Sequence, residues 1–186
     1  YINIIAFLII VSFTISAKAD VSDNDLLAEA GDDWIQTNGN LAGHRYSTLS
    51  EINVDNAKNI TVDWIYSTGA QTNTQGPVIE HDGMLFFVQD NQVHALYATT
   101  GVRAWRYDYE MPEDFGGQFN PFFTGKHRGA AIYGANVYAL TSDCTLLAIN
   151  YKTGEEVFSH KIDRPYPREF ESTADGNGYF CTVNPI

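Results

Sequence analysis

Residues 2–15 are almost wholly apolar (INIIAFLIIVSFTI), and the pattern changes sharply after Asp20. From there apolar residues come in runs of five or six, divided by turn-forming pairs. Residues 61–66 (TVDWIY), 84–88 (MLFFV), 92–97 (QVHALY), 136–141 (NVYALT) and 145–150 (TLLAIN) are rich in β-branched and aromatic side chains, which predicts strands. The turns between them fall at Asp82-Gly83, Asp90-Asn91, Thr100-Gly101, Gly134-Ala135-Asn136 and Thr153-Gly154. A short helix is predicted over about 24–30, capped by Ser22 or Asp23 and ended by Gly31, with a second helical turn near 54–58. Short strands at regular spacing, with no helical periods between them, predict antiparallel all-β structure rather than βαβ units.

An internal repeat narrows this further. Ala95-Leu-Tyr-Ala-Thr-Thr-Gly101-Val-Arg-Ala-Trp105 aligns with Ala148-Ile-Asn-Tyr-Lys-Thr-Gly154-Glu-Glu-Val-Phe158, so both copies read Ala-apolar-x-x-x-Thr-Gly-x-x-x-aromatic. The two glycines lie 53 residues apart, and Trp64 precedes Trp105 by 41. Repeats of roughly 40–50 residues with four strands each are propeller blades. One four-stranded sheet cannot bury both its faces, so blades stack around an axis. The glycine supplies a left-handed backbone position, and the aromatic fills the gap to the next blade. The predicted fold is therefore a partial β-propeller of about two blades plus the start of a third. An N-terminal extension covers 20–60, the first blade 61–110, a loop 111–126, the second blade 127–162 and the start of the third 163–186. Closing a propeller takes about 4–8 blades. The expectation is thus an N-terminal piece of a longer chain, inactive alone.

Composition adds a partner class and a compartment. A net charge of -12, with 44% hydrophobic and 13% aromatic residues, is globular rather than disordered. It argues against nucleic acid as a partner and permits a basic protein. The run 2–15 has the length of a signal h-region and ends in Ala17-Lys18-Ala19, a small-x-small pattern. The chain begins at Tyr1 without a basic n-region. Cleavage is expected after Ala19, with export to a bacterial periplasm. The alternative is an uncleaved anchor, which would associate the parent protein with the membrane. Cys144 and Cys181 could pair in an oxidising compartment, but spacing alone cannot show it, and buried free thiols are the expectation.

The stretch Asp33-Trp-Ile-Gln-Thr-Asn-Gly-Asn-Leu-Ala-Gly-His-Arg-Tyr-Ser47, with Leu49 and Ile52-Asn53 after it, resembles the opening of the quinoprotein alcohol dehydrogenases. These are the methanol and ethanol dehydrogenases that use pyrroloquinoline quinone (PQQ). Trp64-x-Tyr-Ser-Thr-Gly69, the Thr-Gly-x-x-x-aromatic repeats and His127-Arg128-Gly129-Ala-Ala-Ile-Tyr-Gly134 extend the resemblance over about 33–185. It implies an eight-bladed propeller holding PQQ with a calcium or lanthanide ion near its axis. It also implies oxidation of an alcohol to an aldehyde, with electrons passed to a cytochrome c. The matching cofactor-binding positions are Arg128, whose guanidinium fork suits a PQQ carboxylate, Thr182, and Gln75, which stands where the family carries a glutamate. Phe122 and Phe123 replace an adjacent-cysteine disulfide and offer aromatic faces to a planar cofactor. The family's catalytic aspartate, metal ligands and second stacking indole fall later in its sequences, so no catalytic or metal-binding residue is assigned in this chain.

Other chemistry is poorly represented. Asp32-Asp33 and Glu155-Glu156 read as solvated turns, and the five histidines show no ligand spacing. Phosphate loop, nucleophile elbow and HExxH motifs are missing. Gln75 and the Phe122-Phe123 pair also suit a second reading, a periplasmic propeller without cofactor that acts as a binding or scaffold protein. A branch acting on another polyol or sugar is a third.

Overall fold

The computed structural model describes residues 18–69, 76–112, 129–141 and 143–162. Its helix α1 spans Asp23–Leu27. Ser22 caps it in a reciprocal box, with the Asp25 carboxylate accepting from the Ser22 amide at 2.8 Å. The helix ends at Ala28, short of the expected Gly31, because only Leu26 of its side chains packs on the core. The second helical segment is a 3-10 turn at Ala57–Asn59.

Eight strands follow. β1 (Ile79–His81), β2 (Met84–Gln89), β3 (Gln92–Tyr97) and β4 (Arg103–Asp108) form one antiparallel meander. β5 (Ala131–Tyr133), β6 (Asn136–Leu140), β7 (Thr145–Asn150) and β8 (Glu156–Lys161) form a second in the same order. The sequence pattern missed β1 and β5, which are three residues long, and β4 and β8, whose side chains are largely exposed and so carry little apolar signal. Both sheets carry a register irregularity right after the alanine that opens the repeat, at Ala95/Leu96 and at Ala148/Ile149. The repeat in sequence is therefore a repeat in backbone geometry, and the two sheets are two blades of a partial propeller.

The core lies between the sheets. Phe86, Val88, Val93 and Ala95 face Val137, Ala139, Leu147 and Ile149, with Ile79, Ile132 and Tyr151 completing the layer. Burying each large side chain contributes roughly 1.5–3 kcal/mol. The N-terminal extension joins this core through Val21, which bridges Gly134, and through Trp34, which bridges Glu80. Asp33 is not the solvated carboxylate the sequence suggested. It binds Lys18 at 2.6 Å and the buried His81 ring at 2.8 Å.

The expected strand at 61–66 is not formed, since no described segment pairs with its backbone in a ladder. Trp64 nevertheless donates its indole N–H to the Ala98 carbonyl at 3.0 Å and packs on Gly101. Trp105 repeats the same contact one sheet further on, donating to Tyr151 at 2.8 Å and packing on Gly154.

Tyr66 covers a buried histidine. His94 stacks on Phe87 with ring centroids 4.8 Å apart, Nδ1 3.2 Å from the Tyr66 hydroxyl and Nε2 3.2 Å from Gln92 Oε1. The neutral ring protonated on Nε2 satisfies both contacts. Burial, and then the nearby Arg106 charge, push its pKa from 6.5 down to about 4. Because the folded value lies below the unfolded one, the folded state is favoured in full above pH 6.5 and loses this advantage as pH falls toward 4. At about 1.36 kcal/mol per unit, stability at pH 5 is expected to fall by roughly 2 kcal/mol. Urea melts at pH 7 and pH 5 check this. A His94→Gln variant should show a smaller difference between the two.

Cys144 is buried, with φ at +69, and is disulfide-bonded. The expectation of free thiols is corrected: separation along a chain carries no information about distance in space. The other cysteine of the sequence, Cys181, lies outside the described residues.

Candidate functional site

Strand direction defines two ends of the stacked sheets. At one, the docking end, lie the β3–β4 and β7–β8 turns on which Trp64 and Trp105 pack. At the other, the leading end, β1 and β5 begin, the β2–β3 and β6–β7 turns reverse, and β4 and β8 finish. Gln75, Phe122, Phe123, Arg128 and Thr182 all lie outside the described residues, so the structure neither assembles nor separates them. Their segments share one property of connectivity: 70–75 precedes β1, 113–128 joins β4 to β5, and 163–186 follows β8. Each attaches to the described chain at the leading end.

Two described features shape that end. The first is a buried carboxylate in the β6–β7 turn. Asp143 is fully buried and accepts from Lys161 Nζ at 2.6 Å, from Tyr109 Oη and Thr145 Oγ1 at 3.1 Å each, and from the Thr141 hydroxyl. Burial pushes this carboxyl up, but the hydrogen bonds from Lys161, Thr141 and Tyr109 outweigh it and hold the pKa below the usual carboxylate value. Tyr109 follows β4, so the network ties the first sheet to the second at the leading end. The adjoining Cys144 disulfide fixes the same turn. The sequence reading passed over this turn because Thr141 to Cys144 contains no glycine. Its available signal was an aspartate between two hydroxyl residues.

The second feature is a close backbone approach where β1 and β5 begin. Gly129 has φ +107, and a Cβ added there would lie 2.6 Å from Pro77 Cδ and 2.8 Å from Cγ. Only glycine fits this approach.

PQQ, which the sequence resemblance implies, is a planar tricarboxylate. The candidate set suits it chemically: a guanidinium for a carboxylate, an amide and a hydroxyl for further hydrogen bonds, and two aromatic rings for a flat face. The glycine at 129, immediately after Arg128, is accounted for by the Pro77 ring packed against it. Among the described residues no group of three or more His, Cys, Asp or Glu side chains is arranged to hold a metal ion.

The family described as "PQQ: Glucose/ethanol/alcohol dehydrogenase, beta-propeller domain" matches residues 34–161. The chain is 34% identical over 152 residues to the quinoprotein alcohol dehydrogenase PedH of Pseudomonas putida, covering 79% of this chain and 25% of that protein. It is 32% identical over 142 residues to the 1-butanol dehydrogenase (cytochrome c) of Thauera butanivorans, covering 74% of this chain and 20% of that protein. Among solved structures, a europium-containing methanol dehydrogenase superposes with a TM-score of 0.60 at 26% identity, covering 74% of this chain and 24% of the other. The chain thus spans about a quarter or less of the length of the proteins it matches.

Proposed function

Since the chain belongs to the PQQ β-propeller family of glucose, ethanol and alcohol dehydrogenases, we propose that it forms the N-terminal part of a longer, exported quinoprotein that oxidises alcohols to aldehydes. The observation that carries this is the family match across both stacked sheets, residues 34–161. When bound, PQQ supplies the electron-accepting quinone, and a calcium or lanthanide ion polarises its carbonyl. In this chain Arg128 would pair with a cofactor carboxylate, Gln75 and Thr182 would offer it hydrogen bonds, and Phe122 and Phe123 would offer it aromatic faces. The base and the metal ligands come from the remainder of the parent protein.

Export to the periplasm is supported by the 2–15 apolar run, the Ala17-Lys18-Ala19 pattern and the disulfide at Cys144, since such bonds persist in oxidising compartments. A cytochrome c as electron acceptor is supported by the printed name of the Thauera relative, and the net charge of -12 suits a basic partner. The europium of the methanol dehydrogenase supports a lanthanide as an alternative to calcium.

Gln75 and the Phe122-Phe123 pair favour one other reading, a propeller that binds partners without cofactor. One experiment separates the two. The full-length protein is purified, its absorbance is examined for bound quinone, and it is supplied with PQQ and either calcium or a lanthanide. Reduction of an artificial dye that depends on short-chain alcohols is the expected result. Absence of both quinone and alcohol-dependent activity with either metal overturns the dehydrogenase reading and favours the scaffold.

A further inference from the structure

From the two contacts that flank the Ala19–Asp20 bond we infer that removal of the leader and docking of the N-terminal extension compete. The bond is cut while residues 18–34 are free of the sheets; once they have docked, the leader stays attached. The order of the two events therefore decides between a released protein and one anchored by its leader. This rests on the proposed export, which makes residues 1–19 a leader, and on described residues for its geometry. Cleavage is hydrolysis by a signal peptidase that reads the small residues Ala17 and Ala19. Water adds across the amide, the C–N bond breaks, and the products are a carboxylate on Ala19 and a new ammonium on Asp20.

Burial does not protect this bond, since Lys18, Ala19 and Asp20 are all exposed. Tethering does. On the leader side Lys18, the one charged residue of 1–19, places Nζ 2.6 Å from Asp33 Oδ1. Asp33 is held in turn by the buried His81 ring at 2.8 Å, and its neighbour Trp34 exchanges two backbone hydrogen bonds with Glu80 of β1, at 3.1 and 2.9 Å. The surroundings of Lys18 are acidic beyond that one partner. Slight burial lowers its pKa, but the Asp33 hydrogen bond and the charges of Asp33, Glu80 and Asp32 outweigh this and raise it. On the other side Val21 exchanges two backbone hydrogen bonds with Gly134, at 3.1 and 2.8 Å, and its side chain is buried in the core. One tether is thus fixed to the first sheet and the other to the second. The stretch of chain from Lys18 to Val21 spans at most about 11 Å. An endopeptidase needs free chain on each side of the bond it cuts, so the docked extension must first open locally. Gly134 lies 113 residues beyond Val21, so the second tether closes only when the second sheet exists. A chain cut before then loses Lys18 with its leader, but Asp33 keeps His81 and Val21 keeps Gly134.

The test uses the full-length precursor, folded in detergent micelles, and a peptide of residues 10–30 that has nothing to dock on. Each is treated with signal peptidase, and mass spectrometry reads the cleavage point and the initial rate. The folded precursor is expected to be cut about 10-fold or more slowly than the peptide. Every variant is compared with a peptide carrying the same substitution, which removes any direct effect on the peptidase. On that scale Lys18→Ala, which deletes one half-exposed ion pair, is expected to speed cleavage of the precursor about 2–5-fold, and Val21→Ala about 10-fold or more. Should Val21→Ala fail to fold in thermal melts, Lys18→Ala carries the test. A wild-type precursor cut as fast as the peptide overturns the competition. So do unchanged relative rates in both variants, or in Lys18→Ala where that variant carries the test. A wild-type peptide that is not cut between Ala19 and Asp20 overturns the leader reading, and this inference with it.

Discussion

Gly154→Val is expected to destabilise the folded protein by about 4 kcal/mol or more, the combined cost of a strained backbone and a displaced indole. Gly154 has φ +75, and its missing Cβ would lie 2.6 Å from Trp105 Cγ and 2.7 Å from Cδ2. A β-branched residue at that angle costs about 1–3 kcal/mol by itself. The larger part comes from Trp105. Its ring packs against Phe86, with centroids 6.0 Å apart, and its N–H reaches the Tyr151 carbonyl at 2.8 Å. Pushing the indole away uncovers the apolar layer between the sheets and leaves that carbonyl without its partner, which adds about 1–3 kcal/mol. Gly83→Val separates the two contributions, because φ there is +72 but an added Cβ meets nothing within 4 Å. It should show the backbone cost alone. Denaturant melts of both variants, followed by tryptophan fluorescence, check the difference. Equal destabilisation would mean that the Trp105 contact contributes nothing.

Asp143→Ala should cost roughly 3–5 kcal/mol, the range for removing one partner from a buried charged network. The carboxylate serves four side chains, and each loses something different. Lys161 is half exposed and turns to water, whereas the Tyr109 and Thr141 hydroxyls keep only Thr145, whose Oγ1 and carbonyl oxygen they reach at 3.1 Å each. Asp143→Asn keeps the shape but gives up the charge, and a loss of about 2 kcal/mol is expected. Acid provides an independent check. The folded carboxyl titrates below its ordinary 3.8, so its contribution is present above that value and is lost as pH falls through the lower folded one. Stability of the wild type should therefore decline below about pH 4 more steeply than that of Asp143→Asn. Parallel acid profiles would rule out an ionised Asp143 as the stabilising species.

The blades were legible in sequence because their chemistry is local. The turn glycine lies next to its threonine, and the alanine that opens each copy sits just before the register irregularity. Residues 61–66 show where that reasoning stops. Their composition is that of a strand, but a strand needs a pairing partner, and no described segment pairs with them. Cys144 shows another limit, since a bridge depends on approach in space. The leading end was least legible. Nothing local in sequence singles out Asp143, because its importance comes from Tyr109 and Lys161, which are 34 and 18 residues away. Gly129 was visible only as part of a family motif, and its reason, the Pro77 ring, lies more than fifty residues earlier.

The tryptophan contacts also impose a timetable. Each indole precedes its acceptor in the chain, Trp64 by 34 residues and Trp105 by 46. A ribosome adding about 5–20 residues per second produces Trp105 some 2–9 seconds before Tyr151 exists. During that interval the first sheet is complete in its hydrogen bonds, yet its main apolar face is uncovered. The wait recurs at every such step, always in the direction of synthesis. A nascent chain of this architecture therefore leaves the newest indole and the apolar face beside it in water until the next sheet is made.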